Sequence, residues 1–170
     1  MGARCSCRLL IPRSPPALPS TATLRKIRWD AYEQAKHVSD LFNVYGKTYD
    51  WLSNHLRLSK GKITELLLAH RATTEFLTAH PLPANIRKFS LFHEVMKKKG
   101  LKELFLGDIN FKQKFHQWLV EEKISDSKQV RDLPAILENP AAEKALEAEG
   151  FAEATRVLIR NDPALESDLF

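Results

Sequence analysis

The sequence predicts an all-α fold, and three observations carry that expectation. Apolar residues recur at helical spacing in one segment after another, as in Ala31, Ala35, Val38, Leu41, Phe42 and Tyr45. No stretch shows the sustained period-two alternation that a half-buried strand requires. Gly, Pro and capping residues also punctuate the chain where helices would start and stop, among them Gly46, Ser59, Gly100, Pro140 and Gly150. We read residues 1–23 as a tail, 24–83 as a first helical lobe and 84–170 as a second.

Met1 to Thr23 is rich in Arg, Ser and Pro and contains no acidic residue. Pro12, Pro15, Pro16 and Pro19 break any helix there, so the segment is expected to be disordered. Leu9-Leu10-Ile11 is too short for the apolar core of a secretory signal. The composition suits an organellar transit peptide, but the prolines spoil its amphipathic helix; the reading we favour is that this is not natural coding sequence, but a start called upstream or across a frame change. Cys5 and Cys7 lie in this tail with no further Cys or His beside them, whereas a closed tetrahedral metal site needs four ligands. No metal and no cofactor is expected.

Asp30 to Tyr45 then reads as an amphipathic helix stopped by Gly46. A short helix follows, with Trp51, Leu52, Leu56 and Tyr49 on its apolar face. Ser59 is placed to cap the next one, which turns Ile63, Leu66 and Leu67 inward. That helix either continues or gives way to another through Thr73–Ala79 before Pro81 and Pro83. Arg87 to Lys99 should bury Phe89, Phe92, Val95 and Met96 and close at Gly100. Its Lys97-Lys98-Lys99 run has two equal readings, a grip on phosphates or a complement to the helix dipole. Leu101–Leu106 adds a turn of helix before a loop at Gly107-Asp108. Phe111 to Lys123 carries Phe111, Phe115, Trp118 and Leu119 as a buried stripe, with His116 at its boundary. Ser125 or Asp126 caps the next helix, in which Val130, Leu133, Ile136 and Leu137 face inward and Pro134 sits early or at a kink. Pro140 opens a last helical pair, with Ala141, Ala145 and Leu146 before Gly150 and Ala154, Val157 and Leu158 after it.

The chain has 170 residues, 44% hydrophobic and 28% charged, an ordinary globular balance. Its longest apolar run, Leu66-Leu67-Leu68-Ala69, is far too short to span a bilayer, so no membrane partner is expected. The formal net charge is +5, and the excess of bases lies before Asp132 while the remainder is acidic. A basic body with an acidic end suits a polyanion bound away from the C-terminus.

Thr48 to His70 is the stretch with the most functional content. Two helical patterns joined by a tight turn form the helix-turn-helix arrangement, which places its second helix in a DNA major groove; a bland αα-hairpin has the same periodicity. Ser59, Lys60, Gly61, Lys62, Thr64 and Glu65 are the expected base-reading set, because Lys bonds guanine acceptors, Thr meets a thymine methyl and Glu accepts from cytosine. Lys47, Thr48, Tyr49, Asn54 and Arg57 are the expected phosphate contacts. Asp50, His55 and Ser59 are the residue types of a hydrolytic triad, but a capping serine is already explained and no oxyanion site is visible, so no catalytic residue is assigned.

Leu52-Ser53, Leu56, Ser59, Ile63 and Leu67 resemble the helix-turn-helix of ParB-type partition proteins, of the form L-A-x-x-L-G-x-S-x-x-x-V-x-x-x-L. Arg57 stands where that family prefers Gly, and Ser53 where it prefers Ala. Ala31-Tyr32-Glu33-Gln34-Ala35 is similar to the family's supporting helix, and Val130-Arg131-Asp132-Leu133-Pro134 to its V-R-x-L-P segment. The resemblance implies a sequence-specific DNA-binding protein of plasmid or chromosome partition, or of related transcriptional regulation. It also implies double-stranded DNA as partner, a dimer, a partition ATPase and a nucleoid- or plasmid-associated, cytoplasmic location. The family's G-x-R-R and E-N-x-x-R segments, which serve CTP, have no counterpart beyond Arg25-Lys26-Ile27-Arg28, so no nucleotide switch is expected. The alternative is a non-catalytic helical protein that binds another protein through the same face.

Overall fold

The computed structural model describes residues 30–161, so the expectations for residues 1–23, for Cys5 and Cys7 and for the extreme C-terminus lie outside it. The described residues are all-α: nine α-helices, one 3-10 helix and no strand. In chain order these are α1 (Ala31–Asn43), α2 (Tyr49–Leu56), α3 (Lys60–Ala79), the 3-10 turn Pro83–Lys88, α4 (Phe89–Lys97), α5 (Lys99–Gly107), α6 (Ile109–Val120), α7 (Ser127–Glu138), α8 (Pro140–Glu149) and α9 (Phe151–Asn161). None of these helices is long and apolar enough to cross a membrane.

α3 and α4 make the central pair. α1 packs on both, α2 closes against α1 and α3, and α7 covers α4 and carries α8 and α9. The buried side chains form a single cluster running from Ala35 to Leu158, so the segments before and after residue 83 share one core. At its centre Phe92 of α4 meets Phe76, Phe105 and Phe115 with ring centroids 5.5–6.1 Å apart, inside the range at which aromatic edges and faces attract. His116 joins the same group, 5.2 Å from Phe76 and 5.8 Å from Phe92.

Several boundaries move from their expected places. Gly100 does not end a helix: α4 stops at Lys97, Lys98 takes an extended conformation, and Gly100 lies in the first turn of α5. The core demands this break. Met96 and Leu101 are both buried but five residues apart, which on one continuous helix would turn them to different sides. Gly107-Asp108 is accordingly not a loop, since Gly107 ends α5 and the Asp108 carboxylate caps α6 by accepting from the Asn110 N–H. α6 ends at Val120 rather than Lys123, with Glu122 in the left-handed region at φ 56°. Pro134 lies inside α7, not at its start, and denies the Val130 carbonyl its ordinary helical donor. Tyr45, expected on the inner face of the first helix, is exposed beyond the end of α1. In α8 it is Ala142, not Ala141, that is buried. Two open choices close: α3 runs unbroken to Ala79, and Asp126 rather than Ser125 caps α7 in a reciprocal box with Gln129.

Candidate nucleic-acid interface

α2 and α3 meet through Arg57, Leu58 and Ser59. α2 begins at a capping Thr48, whose hydroxyl oxygen accepts from the Trp51 N–H at 3.2 Å. It ends at Arg57, which adopts φ 54° and ψ 40°, the left-handed position that favours glycine after a helix. The Ser53 hydroxyl donates to the Leu58 carbonyl at 2.7 Å and holds this turn shut. Ser59 then caps α3, its hydroxyl oxygen accepting from the Lys62 N–H at 3.2 Å. A left-handed L-residue costs about 1–2 kcal/mol, and glycine's looser unfolded chain takes back about 0.5–1 kcal/mol. Arg57→Gly should therefore raise stability by about 0.5–1 kcal/mol, read from the urea midpoint. Arg57→Ala, which keeps the strain, should leave it nearly unchanged.

The six residues expected to read bases do not share one environment. Lys60 and Gly61 are exposed in the first turn of α3, and a methyl group on Gly61 would have no neighbour within 4 Å. Thr64, half-buried, stands one turn on with its hydroxyl donating to the Lys60 carbonyl at 3.0 Å. The Lys60 ammonium lies 2.7 Å from the Asp50 carboxylate of α2, a solvated pair worth little to stability. Lys62 and Glu65 are only partly exposed. Lys62 falls on the stripe of Leu66, Ala69, Thr73 and Phe76, so it emerges toward α4 and its ammonium reaches His93 Nε2 at 2.8 Å and Glu65 at 3.4 Å. The outward row along α3 is instead Lys60, Thr64, Arg71, Thr74 and Thr78.

The expected phosphate contacts divide similarly. Asn54 and Arg57 are exposed. Tyr49 packs its ring against Phe42 at 5.2 Å, which places it partly in the core. The Lys47 ammonium sits 5.0 Å above the Trp51 ring, and His55 stacks on the other part of this group, 4.0 Å from Trp51 and tilted by 13°. This Lys47–Trp51–His55 cluster was not singled out from sequence, although the Trp51/His55 spacing of one helical turn signals it. His93 was missed as well, because it lies 31 residues from Lys62 and no local pattern links them. Burial and the neighbouring Lys62 and Lys97 push the His93 imidazole below its ordinary value, against the opposite pull of Glu65 and Glu94.

Asp50, His55 and Ser59 do not form a triad. Asp50 pairs with Lys60, His55 Nδ1 contacts the Trp51 carbonyl at 2.9 Å and Ser59 is the cap of α3. Among the described residues no three His, Cys, Asp or Glu side chains gather as a metal site. Comparison with protein-family models, curated proteins and solved structures returns no match.

Proposed function

We propose that α2 and α3 act as a helix-turn-helix that binds double-stranded DNA with sequence preference, α3 entering the major groove by its first turn. One observation carries the reading: a serine-capped helix N-terminus opens to solvent at Lys60 and Gly61, with the half-buried Thr64 one turn on and the exposed Arg57 beside it on the turn. Gly61 lets the backbone approach a base edge, Lys60 supplies a donor for guanine, and the Thr64 methyl suits thymine. Asn54 and Arg57 flank this turn as phosphate contacts, and the positive end of α3 favours the same anions. The resemblance to partition proteins extends the proposal to plasmid or chromosome segregation or related regulation, with a second copy of the chain supplying the other half-site.

The test is selection from a pool of duplexes of randomised sequence, followed by titration at several salt concentrations. Thr64→Ala should alter the preferred sequence by about 1–3 kcal/mol at one position. Arg57→Ala should weaken binding to all sequences and lower the slope of log K against log salt by roughly one. Wild-type protein that selects no sequence and binds without salt dependence would refute the proposal. A second reading, docking to another protein, is favoured by Leu106 and Ile109, exposed by 56% and 70% at the corner between α5 and α6. Shallow salt dependence and loss of partner binding on Ile109→Lys would support it.

A further inference from the structure

Lys62 belongs to the first turn of α3, yet it is turned away from the solvent face. The contact that holds it comes from α4. An ammonium has only N–H donors, so an imidazole that meets it at Nε2 must accept there, which makes His93 neutral with its proton on Nδ1. Phe89, one turn earlier in α4, lies nearly parallel to the His93 ring at 5.6 Å and 19°, and fixes its direction. Glu65 closes the other side of the ammonium. The charged groups facing His93 are thus Lys62 and Glu65 from α3 and Glu94 and Lys97 from its own helix.

The geometry points to His93 as a positioning residue for the DNA interface, which holds Lys62 on α4 while neutral and releases it when protonated. The inference rests on the reading of α3 as a DNA-binding helix. Once His93 carries a proton it can no longer accept from Lys62, and two like charges stand where one hydrogen bond was. Lys62 is then free to leave α4 for the groove, two residues from Lys60 in the same first turn, and both cations gain from a nearby phosphate. DNA therefore favours the protonated form, and binding takes up a proton. Neutral His93 withholds one cation from the interface, so affinity rises as pH falls below the ordinary histidine value of 6.5, because burial and the neighbouring Lys62 and Lys97 hold His93 lower in the free protein. One proton taken up per binding event changes affinity by up to about tenfold per pH unit.

Two measurements test this on the full chain. In the free protein, nitrogen-correlated NMR of the imidazoles should show His93 with an unprotonated Nε2 at about pH 7.5, and Lys62→Met should move the proton to Nε2, the site neutral histidine prefers in water. A protonated Nε2 in the wild type, or no response to Lys62→Met, overturns the inference. The second measurement titrates the randomised duplex pool at about pH 7.5 and about pH 5.5. His93→Gln keeps an acceptor for Lys62 and should bind within about twofold of wild type at the higher pH, but should gain several-fold less on acidification. Equal gains would overturn the positioning role and leave DNA binding standing. If the wild type binds no duplex at either pH, the DNA reading fails and this inference fails with it, whatever the imidazole spectrum shows.

Discussion

Ile63→Asp should leave the chain unable to hold its native fold. Ile63 is fully buried beneath the first turn and a half of α3, in the cluster that also contains Leu52 and Leu66. Losing a buried isoleucine side chain costs about 2–5 kcal/mol, and placing a carboxylate in the space adds several more. Domains of this size have about 5–15 kcal/mol in total. Far-UV circular dichroism and a urea titration should therefore show a variant largely unfolded before denaturant is added, whereas Ile63→Val should cost about 0.5–1.5 kcal/mol. A cooperative Ile63→Asp transition near the wild-type midpoint would mean that α3 is not anchored as described.

Acid should weaken the fold well above the range where carboxylates protonate. His116 lies among Phe76, Phe92 and Phe105, its Nε2 buried without a hydrogen-bond partner, and burial together with the nearby Lys112 pushes its pKa down to about 4. His80 adds to the depression and Glu75 opposes it. His37, His70 and His93 are also pushed below the ordinary value, chiefly by burial. A histidine whose folded pKa is depressed binds protons more readily in the unfolded chain, so its stabilising effect is complete above about pH 6.5 and is lost as pH falls toward 4. Urea midpoints should decline steadily through that window. His116→Phe should flatten the decline, because a phenyl ring fits the aromatic group and has nothing to protonate; an unchanged profile in that variant would assign the loss to other groups.

The helices were largely legible because core positions repeat at helical spacing, and the stripe of Phe111, Phe115, Trp118 and Leu119 is buried as its pattern requires. The break at Lys98 was harder to see. A glycine two residues later looks like a stop, whereas the deciding quantity is the five-residue step between Met96 and Leu101. At the candidate site, Ser59 as a cap followed from local chemistry and needed nothing distant. The orientation of Lys62 did not, because a lysine at the end of a core stripe can lay its methylenes along apolar surface and find its partner elsewhere. Charge was a poor guide to direction there, and the spacing to Leu66, Ala69, Thr73 and Phe76 was the better one.

The unbroken length of α3 has a bearing on how this chain can diverge. At 1.5 Å per residue, about 20 Å of helix separates its opening turn from Phe76 in the aromatic centre. Substitutions that far apart, with no shared partner, combine nearly additively. Lys60, Gly61 and Thr64 can thus be exchanged under selection for a new ligand without drawing on the stability of the core. Lys62 and Glu65 differ, since Lys62 bonds His93 of α4 and Glu65 pairs with the same ammonium. The start of α3 therefore holds two classes of position, one that meets only solvent and α2 and one tied to α4.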